Sequence, residues 1–389
     1  TAGDWSSDVC SSDLSNIPMK KKLLYCLATI GLLCLNACQT VEQLSIDYML
    51  PAEVSFPANL RRVGIVNNMP ENPDNKLITS SEDKNKDKTE IARRTDYYNG
   101  DPQITTETLA ESIANENYFD LVVICDSALR SQDRAPREAT LSSEEVVQLT
   151  HDLGVDFLIA LENVQFRSLR KVSYLPDWRV FYGTVDVKVY PTVKVYLPNR
   201  KIPMVTVNCT DSIFWDASSS SETQIFNQLI SEKDMIEQAS SFAGTVPVKY
   251  LLPYWKTAKR YLFTGGTVNM RDAAIYVKEN NWPEAIRLWE TEYNSKKGKK
   301  KMYAAYNIAL GYEMQDSINT AYDWAVKAQE VAKSMAKNTV KDIEDVERGS
   351  YSSDISYYLM TSSYVSELQE RKNGLVRLNV QMQRINDDF

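Results

Sequence analysis

An internal repeat in the C-terminal half constrains the fold of this chain more than any other feature. Two alanines and one tyrosine recur at an offset of thirty-six residues: Ala273, Tyr276 and Ala285, then Ala309, Tyr312 and Ala321. Alanine lets paired helices approach closely, and tyrosine fills the space between them. The spacing therefore predicts two helix pairs, which need further neighbours to bury their apolar faces.

Residues 266–338 resemble a pair of tetratricopeptide repeats. The segment Asn281-Trp282-Pro283-Glu284-Ala285 is similar to the turn inside a repeat, with the proline in the first helical turn, where its missing N–H is harmless. Trp289 stands where that family has a large aromatic residue. The sequence departs from the pattern at Ala325, which replaces this aromatic in the second copy, and at Glu292, which replaces a small residue.

The tetratricopeptide resemblance implies a concave groove that binds a peptide. Mapping the family's groove positions onto this sequence gives a set of candidate partner-binding residues: Ala274, Lys278, Tyr303, Tyr306 and Glu313. Tyrosines in such a groove would supply contact area at low entropic cost. The alternative is that Tyr303 and Tyr306 are buried against the preceding half of the chain.

The preceding half shows the patterns of an α/β layer domain over residues 59–218. Ser142 and Glu145 have capping-box spacing, and Gly154 ends that helix before a strand that begins at Val155. Two alternating runs, 182–196 and 202–214, predict a hairpin. The polar, charged stretch 70–100 predicts a mobile loop.

The whole mature chain is therefore predicted to be α+β, a small α/β layer domain followed by an all-α, tetratricopeptide-like helical repeat domain. The helical domain is expected over residues 219–340, with two amphipathic helical segments in 222–262. Residues 341–389 are expected to form a C-terminal helix, with a frayed polar tail beyond Gln369.

The stretch 109–170, which includes Asp152-Leu153-Gly154-Val155-Asp156-Phe157-Leu158-Ile159-Ala160, resembles the small domain of envelope lipoproteins of the curli-secretion and TolB amino-terminal kind. The resemblance covers residues 60–215 and implies a docking or assembly module. Taken whole, the chain resembles an uncharacterised family of Bacteroidota lipoproteins. This resemblance implies a domain architecture and a location in the cell envelope but no activity.

The N-terminal residues predict a lipid anchor. Residues 1–18 resemble a translated sequencing adapter. Residues 19–37 combine three lysines with a short apolar run, as a secretory signal does, and Leu35-Asn36-Ala37-Cys38 resembles a lipobox. The resemblance implies cleavage before Cys38 and lipid on its thiol, followed by a tether and extended segment over residues 38–58. The alternative is an ordinary secreted protein whose signal ends in cysteine.

Gln39 at the second mature position resembles outer-membrane lipoproteins, so we expect an anchor that faces the periplasm. The net charge of −8 gives no basic footprint for nucleic acid. Cys125 and Cys209 either form a disulfide in this oxidising compartment or remain buried thiols. His151 is the only histidine, so we expect no metal site and no cofactor.

These features predict an adaptor or assembly module that binds a protein or peptide partner in the envelope and is not an enzyme. One alternative is a structural subunit of an envelope or secretion complex. Another is an envelope hydrolase that uses a carboxylate pair. The lysine-rich stretch 296–301 either holds an acidic partner or lipid headgroups, or is a solvated loop between helices.

Overall fold

The computed structural model describes residues 41–70, 76–80, 89–125, 128–131, 140–339 and 353–386. The predicted signal peptide and the lipobox cysteine Cys38 lie outside the described residues. None of the helices described is both long enough and apolar enough to cross a bilayer. The predicted α+β class is confirmed, since a mixed sheet is followed by a run of helices.

The strands are β1 (Val41–Leu50), β2 (Arg62–Asn67), β3 (Lys76–Ser80), β4 (Glu90–Asn99), β5 (Leu121–Cys125), β6 (Phe157–Leu175), β7 (Val180–Tyr196), β8 (Val205–Asn208), β9 (Asp211–Ser219) and β10 (Tyr254–Phe263). The helices are α1 (Pro102–Asn115), α2 (Ser143–Leu153), α3 (Glu222–Gln228), α4 (Glu232–Thr245), α5 (Val248–Leu251), α6 (Val268–Lys278), α7 (Trp282–Ser295), α8 (Gly298–Glu313), α9 (Ile318–Thr339) and α10 (Ser353–Asn386).

The described chain divides into two compact units whose boundaries differ from the predicted domains. The helical unit comprises residues 41–48 and 257–373, and the sheet unit comprises residues 49–256 and 374–386. The predicted boundary near residue 219 is wrong because the helices between 222 and 251 pack on the sheet. The extended segment predicted within residues 38–58 is confirmed as β1, but it pairs with β10 and is not a free tether.

The long hairpin of β6 and β7 forms the spine of the sheet unit. On one edge of β6, its first residues pair in parallel with β2 and its later residues pair antiparallel with β4. On the far edge of β7, β8 and β9 pair antiparallel one after the other. The second alternating run of the predicted hairpin is therefore two short strands rather than one.

Helix α1 lies between β4 and β5, helix α2 connects the parallel strands β5 and β6, and the two helices cover opposite faces of the sheet. Leu109 and Ile113 of α1 join the larger core beneath the β7 valines, while Val146 of α2 packs in a smaller cluster with Leu158. The capping box of Ser142 and Glu145 is present, as predicted. Alternation along the strands places every second residue in a core and so fixes the register of the pairing.

Two segments that were predicted to be irregular are ordered elements. The predicted mobile loop 70–100 contains β3 and β4, because Tyr98 and Asn99 turn towards the core and β4 pairs along β6; residues 71–75 and 81–88 lie outside the described residues. The predicted fray beyond Gln369 is wrong, since α10 runs to Asn386. There Gln381 hydrogen-bonds the backbone of Ala52.

In the helical unit, the four consecutive helices α6 to α9 lie at the positions of the two predicted helix pairs. The four repeat alanines are all fully buried: Ala273, Ala285, Ala309 and Ala321. Gly311 also serves a close approach, because a Cβ there would lie 2.7 Å from Cγ1 of Ile286 and 3.3 Å from the Trp289 ring. Small residues therefore set the spacing of the helices, as the repeat predicts.

Candidate functional site

A cleft of about 480 Å³ opens in the helical unit between β10 and α10, with α8 at its base. Its volume lies within the range of about 300–1,000 Å³ that is common for ligand sites. Four tyrosines dominate the lining: Tyr261, Tyr306, Tyr357 and Tyr364. The remaining lining residues are Lys259, Arg260, Ser356, Met360, Ser363 and Glu367.

The alternation of β10 divides its side chains between the core and the surface. Ala258, Arg260 and Leu262 are buried, while Lys259 and Tyr261 are exposed. Helix α10 contributes residues spaced three and four apart, which places them on one face. The edge of β10, with side chains from both of its faces, and one face of α10 therefore form the two walls of the cleft.

A buried charge network fixes the floor of the cleft. The Glu313 carboxylate accepts two hydrogen bonds from the Arg260 guanidinium, at 2.9 and 3.0 Å, one from the Tyr364 hydroxyl at 2.7 Å and one from Arg371 at 2.6 Å. Arg260 also donates to Glu367 at 2.7 Å. These bonds join β10, α8 and α10, so the walls are held at a set separation.

The network shifts the ionisation of its members. Burial alone would lower the pKa of Arg260, but the hydrogen bonds and charge of Glu313 outweigh it and raise that pKa, so the guanidinium stays charged. Burial, and then the Glu313 charge, raise the pKa of Tyr364 well above its usual value, so this phenol stays protonated and donates to Glu313. The floor is therefore a fixed set of charges and donors at neutral pH.

An aromatic cluster with a lysine lies at the Tyr357 end of the cleft. Tyr303 stacks on Phe263 with ring centroids 3.8 Å apart, and its hydroxyl lies 2.6 Å from the hydroxyl of Tyr357. The ammonium of Lys299 lies 4.7 Å from the centre of the Tyr357 ring. Its hydrogen bond to Tyr357 raises the pKa of Lys299, and burial with the Tyr357 bond raises the pKa of Tyr303 to about 12. The lysine therefore remains cationic near the cleft.

Residues 60–263, more than half of the chain, match a family described as Domain of unknown function (DUF8603). The chain belongs to the DUF8603 family. Residues 271–370 match a second family, Domain of unknown function (DUF6340). Among curated proteins and solved structures, neither comparison finds a match. The cleft of this DUF8603 chain draws β10 residues from the first matched region and α8 and α10 residues from the second.

The predicted partner-binding groove is not present as an open surface. Ala274, Tyr306 and Glu313 are buried at 8%, 2% and 1% exposure, because the helices that carry them are covered within the unit. Tyr303 is half-buried in its stack. Lys278 is exposed but lies away from the cleft lining, 3.9 Å from Glu42 of β1. Of these five residues, only Tyr306 lines the cleft.

The alternative prediction placed Tyr303 and Tyr306 against the preceding half of the chain. Their partners are Phe263, Tyr357 and Tyr364 of the helical unit itself. The predicted burial of Tyr306 is therefore confirmed, but the two tyrosines pack within the helical unit and not against the α/β half.

The predicted disulfide is absent. Cys209 keeps a thiol that is buried in the larger core, while Cys125 packs with the smaller cluster on the other side of the sheet. His151 is an exposed residue in the last turn of α2, 3.3 Å from Asp152. Among the described residues no three His, Cys, Asp or Glu side chains are grouped as metal ligands are.

Sequence reasoning missed the cleft because it assigned β10 to a helix. The strand signal was the alternation around Ala258, Arg260 and Leu262, but the charged residues between them also fit an amphipathic helix. Burying an arginine contradicts the usual pattern, since arginine is almost never fully buried unless it is paired. Its partners Glu313 and Glu367 lie 53 and 107 residues away in the sequence.

Proposed function

We propose that this chain is a lipid-anchored lipoprotein of the cell envelope that binds a protein or peptide partner through the tyrosine cleft. The observation that carries the proposal is the set of four tyrosines around one cleft whose floor is fixed by the Glu313 network. Tyrosine and arginine are enriched among the residues that dominate protein interfaces.

The arrangement favours binding because it is preorganised. Tyr306 and Tyr364 are held by packing and hydrogen bonds, with ring centroids 4.8 Å apart, so little side-chain freedom remains to be lost when a partner enters. Tyr261 is 41% exposed and offers its ring to a partner directly. A rigid floor with one exposed aromatic wall suits a peptide segment.

The proposed function is non-catalytic. Glu367 is the one carboxylate in the described lining, and it already accepts a hydrogen bond from Arg260. Its oxygens are engaged by the Arg260 guanidinium at 2.7 Å and by the Ser363 hydroxyl at 3.4 Å. The lining therefore offers positioned aromatic rings and donors rather than a reactive pair.

The proposed location in the cell envelope rests on the signal features of residues 19–38. The proposed anchoring in the outer membrane, facing the periplasm, rests on Gln39. Lipid on Cys38 would supply the anchoring, because several acyl chains hold a protein to a bilayer stably. The partner is accordingly proposed to be another protein of the envelope.

Photo-crosslinking in cells tests the proposal at single positions. A benzophenone amino acid replaces Tyr261 in the cleft or, as the control, Trp178, which is 75% exposed on the β6–β7 turn. We expect a discrete crosslinked partner from position 261 only, and we expect Tyr357→Ala to abolish it. Identical products from both positions, or a product that survives Tyr357→Ala, would show that the cleft is not the binding site.

A further inference from the structure

We propose that the partner binds as an extended, acidic peptide that adds a strand to the edge of β10 at Lys259. This inference rests on the proposed function and specifies the chemistry and conformation of the segment that the cleft takes. Addition of a strand to a sheet edge is a general mode of peptide recognition, in which main-chain bonds supply affinity and side-chain pockets supply specificity.

The proposed binding edge is the side of β10 that faces the cleft. Among the described residues, β10 pairs with β1 and with no other strand. The cleft lies against the middle of β10, since Lys259, Arg260 and Tyr261 are three consecutive residues of its lining. An edge strand beside a cleft is a template for another strand.

Side chains of α8 already bond the backbone along part of this edge. The Asn307 amide accepts from the Phe263 N–H at 3.0 Å and donates to the Phe263 carbonyl at 2.7 Å. The Tyr306 hydroxyl lies beside the backbone of Tyr261. Alternate residues of a strand direct their backbone groups to the same edge, so the backbone of Lys259 faces the same side.

At Lys259 this side-chain cover is weakest. Its carbonyl accepts one bond of 3.2 Å from Nη1 of Arg260. Arg260 would keep both of its carboxylate partners if a peptide N–H replaced that contact. An N–H of an added strand can therefore replace the Arg260 bond to the Lys259 carbonyl, and the Arg260 charge stays paired.

Two lysines make the charge at the cleft positive. Lys259 lines it and Lys299 lies over the Tyr357 ring, and neither lysine forms an ion pair with a carboxylate anywhere in the described parts of the chain. The lining carboxylate Glu367 is offset by Arg260. The surplus charge at the cleft is positive, which is complementary to acidic side chains.

The test uses two eight-residue fluorescent peptides, one alternating Glu with Val and a matched one alternating Lys with Val, titrated into the purified full chain by fluorescence anisotropy. We expect the Glu–Val peptide to bind and the Lys–Val peptide to bind at least about tenfold more weakly, because like charges oppose each other at the cleft. Lys259→Glu should weaken Glu–Val binding about tenfold, whereas the matched Lys201→Glu change in the sheet unit should not.

Backbone methylation separates strand addition from other modes of binding. N-methyl groups on every second residue of the Glu–Val peptide block either the edge that faces β10 or the opposite edge. We expect one of the two methylated registers to abolish binding and the other to retain it, with slower exchange of the Lys259 amide when the retained peptide is bound.

Three results would overturn the inference: equal binding of both methylated registers, equal binding of the Lys–Val peptide, or no binding of any peptide. None of these would remove a partner crosslinked at position 261, so failure of strand addition remains distinct from failure of the cleft as a binding site.

Discussion

Replacing Glu313 by glutamine should destabilise the helical unit strongly. Its carboxylate accepts four hydrogen bonds, three of them from Arg260 and Arg371, and its side chain is fully buried. The amide removes the negative charge and directs an NH₂ group at donors. Two guanidiniums that are 2% and 7% exposed then lose their shared counter-charge.

Breaking a buried ion pair from one side costs about 3–5 kcal/mol, and here Arg260 keeps the partly exposed Glu367 and Arg371 keeps the exposed Asp316. With a urea dependence of about 2 kcal/mol per molar, the midpoint should fall by about 1.5–2.5 M. The matched control is Glu367→Gln. That side chain is 29% exposed and accepts one bond from Arg260, so about 1 kcal/mol is expected.

The assay is hydrogen exchange in increasing urea, followed by mass spectrometry on peptides that cover α8 and, separately, β7. We expect the α8 midpoint to fall in Glu313→Gln and the β7 midpoint to change little. If Glu313→Gln unfolds at the same urea concentration as Glu367→Gln, then the network does not hold the cleft floor and the reasoning fails.

Three further changes test other parts of the structure. Asp156→Asn removes a carboxylate that accepts from the backbone and guanidinium of Arg62. Burial opposes ionisation, but the Arg62 bonds outweigh it and lower the pKa of Asp156. The Asp156 carboxylate contributes about 1–2 kcal/mol to folding stability. This contribution is present above the unfolded pKa of about 3.9 and is lost as pH falls through the lower folded pKa. Urea midpoints at several pH values should show this loss in the wild type but not in the variant. Gly311→Ala places a Cβ 2.7 Å from Cγ1 of Ile286 and should cost about 1–3 kcal/mol by overpacking; an unchanged α8 midpoint would contradict the close helix approach. Cys38→Ser should abolish incorporation of labelled palmitate in cells, and label that persists in the variant would refute the lipobox assignment.

The features that the sequence predicts correctly are those set by neighbouring residues. The capping box of Ser142 and Glu145 involves residues three apart, and Gly154 adopts the left-handed conformation that ends α2 at φ 65°. The repeat alanines share one offset, so their burial follows from a regular helix pair. In each case the chain carries both partners of the interaction within one or two elements.

The cleft could not be predicted because its parts are distant in sequence and unusual in type. Arg371 is a buried charge in a segment whose polarity predicts a frayed tail, and Tyr303 and Tyr306 carry no signal that separates a groove from a core. Family groove positions mapped Glu313 to a surface, but its pairing with Arg260 depends on a strand 53 residues earlier. Tertiary contacts therefore override the local pattern at these positions.

The closed groove and the open cleft have one physical cause. Two helix pairs expose apolar faces that need neighbours, and here β10 and α10 act as those neighbours. Tyr364, Leu368 and Arg371 of α10 are buried, and their spacing of four and three places them on one face. Towards the start of the same helix, Ser356 and Ser363 stand in the cleft lining, and a serine side chain is too short to fill the space that a leucine would. The cover of the repeats is therefore closed around Leu368 and Arg371. It opens at the cleft, where α10 places two serines among Tyr357, Met360 and Tyr364, and there the edge of β10 at Lys259 can meet a partner.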